Sequence, residues 1–233
     1  MANAIFKDLG VIQNKKAWEY QEEIHSSLVS AKISNLPNYN NMPEYLLFCE
    51  HPNVYTLGKS GNDQNLLIDY IQLQAKNAEF FHTNRGGDIT YHGPGQIVGY
   101  PIIDLDKHKL GVKKYIFQLE ESIIDLLKDY DIQAERLEGA TGVWLDTQKQ
   151  GMTRKICAIG VRVSRSITMH GFAFNVNTDL NYFDYINPCG FTDKGVTSLA
   201  KELGYELNFE IVKQQLKEKL AKNLNLNFID SEN

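Results

Sequence analysis

Apolar residues along this chain fall into two kinds of spacing. Ala17, Trp18, Ile24, Leu28 and Ala31 recur near the period of one helical face after Asn14, a capping-type residue. They predict a helix that follows a short first strand. Val112, Tyr115, Ile116, Leu119, Ile123 and Leu126 form a second stripe of this period and predict a helix over 112–129. A third, Phe209, Val212, Leu216, Leu220 and Leu224, predicts a C-terminal amphipathic helix. Shorter β-branched, aromatic or alternating runs at 45–49, 54–57, 78–82 and 97–103, and again at 142–146, 154–164 and 168–176, read as strands. The last three are separated by polar turns, which suits consecutive strands of an antiparallel or mixed sheet.

Two stretches break the pattern. Residues 36–43 are rich in Asn and Pro and read as a loop, and 85–96 interrupts the strands with Gly86, Gly87, Gly93, Pro94 and Gly95, predicting a long irregular loop. No internal repeat, low-complexity tract or linker divides the chain, so residues 1–233 are expected to form a single α+β domain with a mixed, largely antiparallel sheet flanked by helices. Composition agrees: 233 residues with 42% apolar and 23% charged positions are enough to bury a sizeable core and lie far from the disordered regime. A net charge of −5 argues against wholesale binding to nucleic acid or to an anionic membrane. No apolar run approaches the roughly 18 residues that span a bilayer, and the first eleven residues lack a secretory pattern, so the expected location is the cytoplasm.

Cys49, Cys157 and Cys189 are too widely spaced for a zinc ligand set and cannot all pair with one another, which turns attention to thiol chemistry. Cys189 sits in the turn Asn187-Pro188-Cys189-Gly190, where proline fixes one backbone angle and glycine admits close approach of a ligand. Such a turn can present a nucleophile; taken alone, it equally accommodates a small half-buried thiol. Lys155 lies in the otherwise apolar strand Lys155-Ile156-Cys157-Ala158-Ile159-Gly160, where desolvation would lower its pKa and fit it to serve a thiol as base or countercharge. A strand-edge lysine reaching solvent fits the same pattern. The string Arg85-Gly86-Gly87-Asp88-Ile89-Thr90-Tyr91-His92-Gly93-Pro94-Gly95-Gln96 has the make-up of a substrate-contacting loop on a rigid scaffold and lacks the Gly-Lys-Ser/Thr ending of a Walker loop.

Together with Glu50-His51-Pro52, Tyr55-Thr56-Leu57-Gly58, Thr141-Gly142-Val143-Trp144 and His170-Gly171-Phe172-Ala173-Phe174-Asn175-Val176, these segments form a distinctive set from about Glu44 to Phe191. The set resembles the octanoyltransferases of lipoate biosynthesis, the lipoate-protein ligase B family. The resemblance implies a fold like the catalytic domain of biotin and lipoate protein ligases. It implies that Cys189 carries an octanoyl thioester, that Lys155 lowers the thiol pKa, and that no ATP, metal or other cofactor is needed. Matched to the family's substrate-binding segments are Arg85, Gly86, Gly87, Asp88, Ile89, Thr90, Tyr91 and His92, then Ala158, Ile159 and Gly160, then Gly171, Phe172 and Ala173. The implied partners are octanoyl-acyl carrier protein as donor and, as acceptors, apo lipoyl domains of 2-oxoacid dehydrogenase E2 subunits and the glycine cleavage H protein.

The chain departs from the family at Cys157, where a small residue such as alanine is usual; strand alternation puts it on the same face as Lys155, where a second thiol would sit close to the base, and a small buried strand residue fits the same position. The most basic run, Lys107-His108-Lys109-Leu110-Gly111-Val112-Lys113-Lys114, is a candidate docking surface for an acidic carrier protein, and equally a solvated helix start. Three rival activities suit the same set of residues: an ATP-dependent lipoate or biotin ligase, a silent lipoyl-domain binder, and a thiol hydrolase.

Overall fold

The computed structural model describes residues 2–187 and 194–229. It opens with strand β1 (Ala2–Val11) and helix α1 (Asn14–Ile33), followed by β2 (Glu44–Glu50) and β3 (Val54–Leu57). A short helix α2 (Tyr70–Ala75) leads to β4 (Glu79–His82), β5 (Ile89–His92) and β6 (Gln96–Ile102). Helix α3 (Val112–Lys128) precedes four strands, β7 (Glu135–Leu137), β8 (Ala140–Leu145), β9 (Arg154–Ser164) and β10 (Ile167–Asn175). After them come β11 (Gly195–Val196), α4 (Leu199–Leu203), α5 (Phe209–Leu224) and β12 (Leu226–Ile229).

Strand order in the main sheet is β12-β1-β2-β6-β10-β9-β8-β7, with β11 added beside β9. Antiparallel pairing runs from β2 to β7, while β1 lies parallel to both β2 and β12. Alternation along the central strands explains why helices cover both faces. Leu46 and Phe48 of β2 point into a core shared with α3 and α5, whereas Leu47 and Cys49 point into a second core under α1. Transfer of such apolar side chains from water, at roughly 25 cal/mol per Å², is the principal force holding the three layers together.

The expected α+β architecture with its mixed sheet is present, and each of the three amphipathic stripes is a helix. Asn14, however, is the first helical residue rather than the cap. Gln13 holds the N-cap position with extended backbone and no side-chain bond, and Asn14 is buried. A second correction concerns 85–96, which is not irregular throughout. Residues 89–92 form β5, which pairs with β3 and with it and β4 makes a separate three-stranded sheet. This small sheet closes over its own core of Tyr55, Leu57, Ile89 and Tyr91. It leans on the main sheet and leaves a cavity between them. No helix among the described residues is long and apolar enough to cross a membrane.

Candidate functional site

That cavity, about 500 Å³, is roofed by Arg85 to Thr90, floored by Val98, Tyr100 and Phe172, and walled by β9 and β10 at Ala158 to Val161 and His170 to Ala173. Three chain segments come together closely here because glycine stands where they meet. A Cβ on Gly58 would lie 2.3 Å from the Gly87 carbonyl oxygen, and one on Gly160 would lie 2.8 Å from that of Gly86. The Gly86 amide in turn donates to the Val161 carbonyl at 3.0 Å, which ties the 85–88 loop to the edge of β9. Arg85 is folded inward: its Nη2 donates to the Thr56 carbonyl at 2.6 Å and to Thr56 Oγ1 at 2.9 Å, and Nη1 donates to the Gly86 carbonyl at 3.0 Å.

Lys155 lines the cavity from β9, with Nζ 4.5 Å from the centroid of the Trp144 ring. The cationic head over an aromatic face is held by the ring quadrupole. Its aliphatic stem passes over Gly142, where a Cβ would stand 3.4 Å from Lys155 Cε and 2.6 Å from the Cys157 carbonyl. Beneath, the buried Glu120 carboxylate accepts from the Gly142 amide at 3.1 Å and from Arg136 Nε at 2.9 Å, fixing this end of β8.

The expectation that Cys157 shares the face of Lys155 is corrected here. Pairing with β8 runs Val143 to Cys157 and then Trp144 to Lys155, so Ile156 is an extra residue on β9 and the alternation breaks. Cys157 is fully buried in the core beneath α3, where burial raises its pKa and the Lys155 charge offsets only part of that rise. Burial pushes the Cys49 thiol up as well. Neither thiol has the exposed, electropositive surroundings of a nucleophile. Cys189 lies outside the described residues. The described chain stops at Asn187, whose amide donates to the Asn65 carbonyl at 2.9 Å, and resumes at Lys194. From there Val196 pairs with Lys155 in parallel register.

Of the fourteen residues matched to substrate-binding segments, all but Tyr91 line the cavity. Tyr91 turns into the core of the small sheet, where it stacks on Tyr182 at 4.8 Å and donates to Asn53 Oδ1 at 2.7 Å. Several lining residues escaped sequence reasoning. Gln21 interrupts the apolar stripe of α1, and its Oε1 accepts from the His170 amide at 3.0 Å. His170 itself holds a left-handed φ of 59° inside a strand and bonds Asn84 Oδ1 through Nε2 at 2.6 Å. A polar residue on an otherwise apolar helix face was the one available signal for Gln21. Burial lowers the pKa of His170 to about 3, helped by the nearby Arg85 charge. Burial, together with the His51 and Arg85 charges, likewise lowers that of His92 to about 3. Both imidazoles are therefore neutral at physiological pH. Among the described residues no group of histidines, cysteines and carboxylates is disposed to hold a metal ion.

Comparison with known proteins places this geometry. The family model for the lipoyl protein ligase A/B catalytic domain matches residues 14–221. An octanoyltransferase from Parabacteroides distasonis is 58% identical over 212 residues, covering 91% of this chain and 94% of its own length. One from Christiangramia forsetii is 55% identical over 213 residues, covering 90% and 91%. Among solved structures, the bi-partite lipoate protein ligase of Thermoplasma acidophilum superposes with a TM-score of 0.75 over 99% of this chain and 87% of its own, at 14% identity. That likeness speaks for the fold, while the relatives above half identity speak for the type of enzyme. The chain is an acyltransferase belonging to the octanoyltransferases of the lipoyl protein ligase A/B catalytic domain family.

Proposed function

We propose that this enzyme moves an octanoyl group from octanoyl-acyl carrier protein to a specific lysine of apo lipoyl domains, in the cytoplasm, with Cys189 as nucleophile and Lys155 as its proton partner. The observation that carries the reading is Lys155 itself: a lysine on the wall of a glycine-lined, largely apolar cavity of about 500 Å³, paired in register with the strand that resumes the chain after Cys189. A cavity of that size and lining suits an aliphatic acyl chain.

In the first half-reaction the Cys189 thiolate attacks the thioester carbonyl. A carbon–sulfur bond forms to Cys189, the bond to the phosphopantetheine sulfur breaks, and the Lys155 ammonium gives that sulfur its proton. Lys155 is left neutral. In the second, the amine of the acceptor lysine attacks the acyl-enzyme, an amide forms, neutral Lys155 takes the amine's proton, and Cys189 leaves as thiolate. One thioester replaces another and an amide then replaces a thioester, so the reaction is downhill without nucleotide or metal. The acceptors are the lipoyl domains of 2-oxoacid dehydrogenase E2 subunits and the glycine cleavage H protein. The carrier protein docks on the exposed Lys113 and Lys114; Lys113 lies one helical turn before Ile116, which lines the cavity.

Intact-mass measurement after incubation with octanoyl-acyl carrier protein, without ATP, tests the reading. A labile octanoyl adduct is expected on wild type and none on Cys189→Ser. An absolute need for Mg-ATP would instead make the enzyme a ligase, and an adduct on Cys189→Ala lost in Cys157→Ala would move the nucleophile.

A further inference from the structure

Five buried residues to which the transfer chemistry gives no role, Thr56, His92, Gln96, Asn175 and Thr197, form one line of hydrogen bonds, the first four of them in the cavity wall. Its direction can be fixed atom by atom, because two backbone carbonyls can only accept. Gln96 Nε2 lies 3.2 Å from the Tyr91 carbonyl and must donate there, which leaves Gln96 Oε1 facing His92 Nδ1 at 2.8 Å. Asn175 Nδ2 lies 3.0 Å from the Thr197 carbonyl and must donate there, which leaves Asn175 Oδ1 to accept from Gln96 Nε2 at 2.9 Å. His92 therefore carries its proton on Nδ1. Its bare Nε2 accepts from the Thr56 hydroxyl at 3.3 Å, and Thr56 Oγ1 accepts from Arg85 Nη2 at 2.9 Å.

Every donor points the same way, from the Arg85 guanidinium on one side of the cavity to the Thr197 carbonyl on the other. Bonds aligned in this manner polarise one another, and no member can turn over without leaving a buried polar atom unpaired. The far end bears on the proton partner, for the Thr197 amide donates to the Lys155 carbonyl at 2.9 Å. We propose that Gln96 and Asn175 are positioning residues whose one-way hydrogen-bond line sets the spacing between the Arg85 loop and the Lys155–Val196 strand pair, and so the placement of Lys155 as the proton partner. In this line His92 is a structural link and neither acid nor base. The proposal rests on the Cys189 and Lys155 reading above.

Asn175→Asp is the discriminating variant. It keeps the oxygen that Gln96 needs and, when ionised, turns the last link into two opposed acceptors. The test measures the pH dependence of iodoacetamide alkylation at Cys189, read by mass, and kcat and KM for octanoyl transfer, on full-length wild type, Asn175→Asp, Asn175→Leu and the remote core variant Leu216→Ala. Expected for Asn175→Asp is an alkylation midpoint raised by about one pH unit, which is about a tenfold loss of thiolate at neutral pH. The kcat should fall by a similar factor with KM unchanged, while Leu216→Ala loses thermal stability without moving the midpoint. A folded Asn175→Asp and a folded Asn175→Leu that both keep the wild-type midpoint and kcat overturn the proposal, the second because it cannot replace the lost donor with a protonated carboxyl. If wild-type Cys189 itself titrates as an ordinary cysteine near 8.5, the dyad reading fails instead, and the kcat and KM comparison alone decides the role of the line.

Discussion

Gly160→Ala tests whether the cavity depends on the close approach of β9 to the 85–88 loop. The added methyl would stand 2.8 Å from the Gly86 carbonyl oxygen and 3.3 Å from Arg85 Cδ, whereas an ordinary contact begins near 3.4 Å. Backbone must therefore give by about 0.6 Å, the difference between roughly 3.4 Å and 2.8 Å. Little room exists to do so: the Gly86 amide is bonded to the Val161 carbonyl at 3.0 Å, and Gly160 pairs with Gly171 on β10. Overpacking of this kind costs about 1–3 kcal/mol of stability. Misplacement approaching 1 Å at a reacting centre costs on the order of 100-fold in rate, so about 10-fold is expected here for a displacement somewhat over half that size. Single-turnover octanoyl transfer followed by mass, with a parallel urea melt, reads both. A folded variant whose rate stays within twofold of wild type would show that the loop can relax freely and would refute the claim that its position is set by this contact.

Other consequences can be measured separately. Lys155→Met should lower single-turnover transfer at least about 100-fold, the usual worth of a positioned acid–base group; Lys155→Arg, which keeps the charge but cannot give up its proton, should preserve Cys189 alkylation at neutral pH and still fail in transfer. Buried and neutral, His51, His92 and His170 have folded pKa values lowered to about 4, about 3 and about 3. The unfolded chain takes up these protons near pH 6.5 and the folded chain does not, so stability should fall as pH drops from about 6.5 toward 4, by up to roughly 1.4 kcal/mol per pH unit per histidine. Denaturant melts that are flat between pH 7 and 5 would contradict this. Glu120→Ala, which strips Arg136 of one partner and leaves the buried Gly142 amide unpaired, should cost about 2–3 kcal/mol in a urea melt, and Glu120→Gln less, because it retains an acceptor. Lys113→Glu with Lys114→Glu should raise KM for the carrier protein at low salt and leave kcat unchanged; an unaltered KM removes this helix start as the docking surface.

How far the sequence revealed this fold depended on how local each signal was. Helices α1, α3 and α5 announce themselves because a period of 3.6 needs only the helix's own residues. The split into two sheets did not, since strands 54–57 and 89–92 look alike whichever sheet receives them, and glycines around 89–92 disguised a strand as part of a loop. Similarly, an alternation rule that holds only in regular strands puts Cys157 on the face of Lys155, and a single extra residue, Ile156, is enough to void it. Nothing within residues 154–164 signals that bulge, because it is defined by pairing with β8.

The site shows the same division with a different outcome. Residues that touch the cavity through short motifs, such as Arg85 to Thr90, Ala158 to Gly160 and Gly171 to Ala173, were recognisable from the string itself. The hydrogen bonds that hold those motifs in place were not: His92 belongs to the segment that begins at Arg85, but Thr56, Gln96, Asn175 and Thr197 come from separate stretches of the chain, and the line they form with it exists only once folding brings them together. Each is a polar side chain at a nearly inaccessible position, and burial without a partner would cost about 1–3 kcal/mol apiece. A chain that accepts such a demand at five neighbouring positions gains a geometry with one solution: both amides and the imidazole have a single allowed orientation. On the proposed reading, that uniqueness suits a two-step transfer, in which Lys155 must serve first a departing thiolate and then an attacking amine.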